Sequence, residues 1–386
     1  MTDTAAATRL DVDALLTAAR DKAGLDDLGD ERFLEPLEVL VTSLRDEARL
    51  SELGVELTRR RLTALLVDRL RLRDLQRRHP EILDVEPRVA AVICGLPRTG
   101  STLLHRLLSS SPRLTSTLSW ETSYPIPFPG ESPAAEERKH RAQRRMELFL
   151  EHAPEFADIH DVAWDAPEED VILVDRSFVS MSFDSFYWVP TYGDWLRDAD
   201  QSWAYEELRQ WLQVLQWQDP DRERQRWVLK SPHHLTAIET VLDAFEDSRI
   251  VMTHRTPVDA VPSYASMVAA MSSQHSDAVE PTALGPYWSA RFATSLGQFA
   301  EVRRARPERF VDVRFRDAVR EPVARALTVL RALGLEPDRD DEVAFTGYVE
   351  RDREQRDARH EYTAAEFGLS EQELAEKFGD YIEEYV

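Results

Sequence analysis

The run Val89-Ala-Ala-Val-Ile-Cys94, bounded by Pro87 and Gly95, constrains this chain more than any other feature. A short, unbroken apolar stretch with β-branched residues suits a strand buried on both faces, and such strands belong to parallel sheets. Straight after it comes Gly95-Leu-Pro-Arg-Thr-Gly-Ser-Thr102, and the residues from Ser101 to Ser109 carry Leu103, Leu104, Leu107 and Leu108 at helical spacing. Strand, glycine turn and helix open a βα unit. Gly95 and Gly100 fit a G-x-x-x-x-G loop, whose amides turn inward and set a helix N-terminus against a phosphate.

A nucleotide triphosphatase would carry Lys directly after the second glycine, followed by Ser or Thr for Mg²⁺. Here Ser101 holds that position, and the cation stands two residues before the glycine, at Arg98. The loop keeps the geometry for an anion while losing the Walker arrangement. With no acidic strand end suited to Mg²⁺, no metal is expected.

Two further apolar runs, Arg226-Trp-Val-Leu-Lys230 and Arg249-Ile-Val-Met-Thr-His254, read as partner strands, with helical spacing from Leu235 to Phe245 between them. Residues 9 to 80 read as helices that end at Pro80, and 1–84 is taken as a helical N-terminal extension. Arg59, Arg60, Arg61, Arg69, Arg71 and Arg73 read as an exposed helix face balanced by Asp68 and Asp74. Residues 85–386 form the α/β domain, within which 130–221 is a helical, acidic, aromatic-rich insert. Phe178, Phe183, Phe186, Tyr187 and Trp188 in that insert are read as core before pocket. Leu374, Phe378 and Tyr381 offer a late apolar face. The expected fold is α/β, a P-loop-type parallel sheet flanked by helices.

Charge narrows the partners. A net charge of −23 opposes nucleic acid and anionic membranes, so an anionic ligand needs a local cluster of donors. The single cysteine, Cys94, excludes an internal disulfide and a multi-cysteine metal site. Neither a secretory leader nor a run of about 18 apolar residues is visible, which points to a cytoplasmic enzyme without stable membrane insertion. Oligomeric state is left open.

Leu96-Pro-Arg-Thr-Gly-Ser-Thr-Leu103 resembles the 5′-phosphosulfate loop of sulfotransferases that use 3′-phosphoadenosine 5′-phosphosulfate (PAPS). The resemblance implies that Pro97, Arg98, Thr99, Gly100, Ser101 and Thr102 bind the 5′-phosphate, with Arg98 meeting charge on the leaving group. That agrees with the chemistry, since a fixed guanidinium opposes negative charge growing on a departing oxygen. Arg255, past the strand ending at His254, and Ser263 on the next helix match the family's 3′-phosphate clamp. PAPS is therefore the expected co-substrate and a small-molecule hydroxyl the acceptor.

The acceptor hydroxyl must lose a proton, and two bases compete. Glu121, in Ser119-Trp-Glu-Thr122, is similar to the glutamate that follows the loop in tyrosylprotein and trehalose sulfotransferases. His234, in Leu229-Lys-Ser-Pro-His-His-Leu235, looks like part of a bacterial signature in which Lys230 also orients the sulfuryl group. His160 and Glu168, in a His plus Pro-Glu-Glu segment of the same branch, are secondary candidates for contact with substrate. A kinase-like nucleotide enzyme and a non-catalytic nucleotide-binding relative are the competing readings.

Overall fold

The computed structural model describes residues 10–128, 130–131, 135–152, 163–354 and 362–386, in two compact units. One unit joins Met1–Glu86 with Val171–Trp217 and Val268–Glu280. It is thus assembled from three stretches of sequence and takes in most of the aromatic-rich second half of 130–221. Its first helices are α1 (Val12–Ala23), α2 (Leu34–Asp46) and α3 (Glu52–Arg78). Asp11 and Ser51 cap α1 and α3 by accepting from the amides of Ala14 and Gly54, as short oxygen-bearing side chains do at helix starts.

The apolar stripes of these helices converge on a core with Phe33, Leu37, Leu40, Leu62, Leu66 and Leu70. Phe178 and Phe183 stack within that core, with Tyr192 edge-on to Phe183 and Phe33 against Phe178. Phe178, Phe183 and Tyr187 are fully buried, so this part of the aromatic run is core. Arg60 is exposed on α3 as expected, but Arg69 departs from the expected solvated face. Arg69 is buried, donates to Glu207 at 2.6 Å and to the carbonyls of Arg176 and Asp30, and lies over the Phe33 ring. Its counter-charge is distant in sequence, which is why local charge patterning misplaced it.

The other unit, Pro87–Asp170 with Gln218–Met267 and Pro281–Val386, contains a five-stranded sheet. Its elements begin with β1 (Val89–Gly95), helix α4 (Ser101–Ser109), β2 (Leu114–Thr115) and the short α5 (Ser119–Ser123). Strands β3 (Arg226–Lys230), β4 (Arg249–His254) and β5 (Phe310–Arg314) follow. All pairings are parallel, in the order β2-β3-β1-β4-β5, and every residue of the central β1 is buried. The expected α/β parallel sheet flanked by helices is what the chain forms.

Alternation along the strands sends side chains to two faces. On one face, Ala91, Ile93, Val251 and Val313 pack with Leu104, Leu107 and Leu108 of α4 and with Val329, Leu330 and Phe345 of later helices. On the other, the Cys94 thiol approaches Met252 at 3.7 Å, and His254 packs against Phe299 and Tyr385. Leu374, Phe378 and Tyr381 of the tail are buried as their spacing suggests.

Removing the charge of Glu207 strands a buried guanidinium. Glu207→Gln should cost about 3 kcal/mol, in the range for breaking one partner of a buried ion pair, and denaturant unfolding would measure it. A loss below a few tenths of a kcal/mol would show that Arg69 finds water instead.

Candidate active site

The register of the sheet decides which side chains meet. Gly95 of β1 pairs with Thr253 of β4, and Ile93 pairs with Lys230 of β3. Three adjacent strands therefore end at the same edge of the sheet, β3 stopping at the level of Ile93 and β4 just past Gly95, and each releases its cation there: Arg98 from the loop, Lys230 from β3 and Arg255 from just beyond β4. Carboxyl ends of parallel strands beside the central strand are where open α/β sheets bind ligands.

Two glycines allow the turn. Gly95 has φ +147°, and a Cβ there would sit 2.5 Å from the Thr253 carbonyl oxygen. Gly100 has φ +80°, and a Cβ there would meet Phe315 at 2.8 Å. Arg98 itself adopts φ +68°, a conformation that costs a non-glycine residue energy and that the surrounding loop must hold in place. The Thr99 hydroxyl donates to the Leu96 carbonyl at 2.7 Å and lies 2.6 Å from the Thr253 hydroxyl. Thr99 is 1% exposed, so its side chain locks the loop to β4 and its amide is what it can offer an anion. Pro97 is likewise buried, whereas Thr102 is partly open in the first turn of α4. The first-turn amides of a helix have no intrahelical acceptor, and here they lie at the mouth of the loop.

Arg98, Arg255 and Ser263 come together. Arg98 Nε donates to Ser263 Oγ at 3.3 Å, and Arg255 Nη1 donates to the Arg98 carbonyl at 3.0 Å. Phe315, which also backs Gly100, stacks on the Arg255 guanidinium at 4.7 Å. Burial holds Arg98 below the usual arginine range, Tyr362 opposes that, and the charge of Arg255 adds to it. Two guanidiniums held this close repel each other, a cost that a bound polyanion would remove.

Lys230 sits on the other side of the loop. Its ammonium donates to Thr102 Oγ1 at 3.0 Å and forms an ion pair with Glu169. Asp170, the next residue, accepts the Lys230 amide at 2.7 Å and lies 2.9 Å from His234 Nε2. Segment 167–170 is thus fastened along 230–234, and on its other side Glu168 exchanges backbone and side-chain bonds with Thr117. Burial would raise the Asp170 carboxyl, but His234 and the Lys230 amide outweigh it and hold Asp170 below the ordinary aspartate range. His233 and His105 are buried neutral: burial, with His234 and Lys230 respectively, drives each down to about 3.

Glu121 is placed differently. Both its oxygens accept from Arg222 Nη2, at 2.8 and 3.0 Å, and Oε2 also accepts the Leu118 amide. Both side chains of that ion pair are about 5% exposed. Glu168 uses Oε1 to accept the amide of Glu169. His160 lies outside the described residues. Glu169 and Asp170 were not singled out from sequence, although the acidic run after Pro167 was the available signal. No group of metal-ligating side chains occurs among the described residues.

Residues 91–340 match the model of the sulfotransferase family, and the chain belongs to that family. Omega-hydroxy-beta-dihydromenaquinone-9 sulfotransferase Stf3 of Mycobacterium bovis, and the protein of the same name in Mycobacterium tuberculosis, are each 26% identical over 329 residues. That alignment covers 80% of this chain and 77% of theirs. The crystal structure of sulfotransferase STF1 from M. tuberculosis superposes with a TM-score of 0.85 at 28% identity, covering 96% of this chain and 99% of that one. Sulfotransferase STF9 from Mycobacterium avium gives 0.86 at 25% identity, covering 96% of each chain. The protein is a sulfotransferase enzyme, with the nucleotide-binding loop fold this implies.

Two outcomes follow from this geometry. Gly95→Ala forces the strand end apart from Thr253 and should lower the thermal midpoint by several degrees, as read by calorimetry. The depressed histidines make the fold acid-sensitive. The unfolded chain takes up their protons near pH 6.5, while the folded chain resists until about pH 3, so stability is complete above pH 6.5 and falls below it. Each group contributes a slope of up to about 1.4 kcal/mol per pH unit. The thermal midpoint should drop between pH 6.5 and 4.5, and His105→Gln should flatten that drop; a profile unchanged by the substitution would show that His105 is not the acid-sensitive group.

Proposed function

We propose that this enzyme transfers the sulfuryl group of PAPS to a hydroxyl of a small, apolar acceptor. The supporting observation is the junction of Arg98, Arg255 and Ser263 at the level ends of β1 and β4. A glycine loop on one side of Arg98 and an arginine–serine pair on the other supply donors for two phosphates within the span of one nucleotide. That donor set fits a bisphosphorylated adenosine better than AMP or ATP.

In this reading the amides of Thr99, Gly100, Ser101 and Thr102 hold the 5′-phosphate beside Pro97, and Arg98 meets the charge that grows on the oxygen leaving sulfur. Arg255 and Ser263 grip the 3′-phosphate, Arg255 through its planar fork. Lys230, already within reach of Thr102, orients the sulfuryl oxygens. His234, fixed by Asp170, acts through the Lys230 segment. Transfer runs in line in one complex, so holding both partners in alignment supplies much of the rate. The apolar acceptor class rests on the curated relatives, which act on a menaquinone derivative.

Calorimetry tests the reading. 3′-Phosphoadenosine 5′-phosphate should bind roughly 10-fold or more tighter than AMP, and Arg255→Ala should erase most of that margin. Arg98→Ala should lower transfer by about an order of magnitude or more. Equal affinities for the two nucleotides would overturn the assignment of Arg255 and Ser263.

A further inference from the structure

We propose that Glu169 is the catalytic residue that accepts the acceptor's hydroxyl proton, an inference that rests on the sulfotransferase reading above. Asp259 is taken up by Arg255 at 3.5 Å, and four further carboxylates stand on the two segments joined through Thr117 and Glu168, where what their oxygens already do separates them. Glu121 is buried, and Arg222 and the Leu118 amide take both its oxygens. Asp170 is fully buried and divides its oxygens between the Lys230 amide and His234. Glu168 turns one oxygen back onto the amide that follows it.

Glu169, like Glu168, is partly exposed, at 22% for its side chain, and among the described residues has only Oε1 engaged, but its partner is the Lys230 ammonium. That same ammonium bonds Thr102 in the first turn of α4 at 3.0 Å. A single side chain therefore links the Glu169 carboxylate to the loop assigned to the phosphosulfate end. The backbone bond from Glu168 to Thr117 and the bond from the Lys230 amide to Asp170 fix residue 169 from both sides, which is the rigidity a proton acceptor needs.

The step balances as follows. The acceptor oxygen forms a bond to sulfur while the bond from sulfur to the bridging phosphate oxygen breaks. The hydroxyl proton passes to Glu169. The electron pair of the broken bond stays on the phosphate, where Arg98 and the loop amides meet it. Lys230 keeps its proton throughout.

Glu169→Gln preserves an oxygen for Lys230 but cannot take a proton. Transfer from sulfur-35-labelled PAPS would be followed on a primary prenyl alcohol such as farnesol and on 4-nitrophenol, which is largely ionised at pH 8 and needs no base. The variant should lose about 100-fold or more in kcat on the alcohol and far less on the phenol, with affinity for 3′-phosphoadenosine 5′-phosphate within about twofold of the parent. Near-parental kcat on the alcohol, equal losses on both acceptors, or lost nucleotide affinity would each overturn the proposal. Glu121→Gln serves as the counter-test: it should lower the thermal midpoint while retaining the phenol-to-alcohol ratio, and a selective loss on the alcohol there would move the base to Glu121. A parent enzyme that binds the nucleotide yet sulfates neither acceptor would count against the acceptor reading beneath the proposal, a failure distinct from any outcome in the variants.

Discussion

The alignment of β1 between β3 and β4 is the constraint on which the rest of this site depends. Parallel pairing of Ile93 with Lys230 and of Gly95 with Thr253 brings the carboxyl ends of three strands to one edge of the sheet. A shift of one residue in either pairing would turn the inward side chains outward and scatter the cations. The unbroken burial of β1 makes such a slip costly, because each of its residues packs on one face of the sheet or the other. The geometry of the site is thus inherited from core packing. The loop adds strain of its own at Arg98, held in the left-handed region by Gly95, Gly100 and the lock between Thr99 and Thr253.

Charge at the site works against the rest of the molecule. The chain carries −23 overall, yet Arg98, Arg255 and Lys230 converge at one sheet edge. Arg98 and Arg255 disfavour each other, and Arg98 sits below its ordinary range mainly through burial. Lys230 is balanced by Glu169, and His234 by Asp170, through two consecutive acids of one segment. Arg255 is paired in turn with Asp259 at 3.5 Å, so three acids stand beside the three cations, and what suits an anion with several charges is the convergence of their N–H donors rather than a net excess of charge.

Much of this was legible in the sequence. The apolar run before Gly95, the spacing of the two glycines and the helical leucines after them are local signals, and they defined the sheet and the loop. Arg98 and Arg255 could be named because each follows a strand, and Ser263 because of its spacing from Arg255 along the next helix. Partnerships across long separations were not legible. Arg69 was read as solvated because Glu207 stands far along the chain. Glu121 resembled a base by its distance from the loop, but nothing local revealed that Arg222 would occupy its carboxylate. Glu169 and Asp170 drew no notice because their value comes from the strand they lie against.

The central claim is that Arg98 and Arg255 serve opposite ends of one nucleotide. A crystal structure of the complex with 3′-phosphoadenosine 5′-phosphate tests it most directly. The account predicts the 5′-phosphate on the amides of residues 99–102 beside Arg98, and the 3′-phosphate on Arg255 and Ser263. A nucleotide bound elsewhere, or one whose 3′-phosphate points to solvent while Arg255 stays on the Arg98 carbonyl, would contradict it.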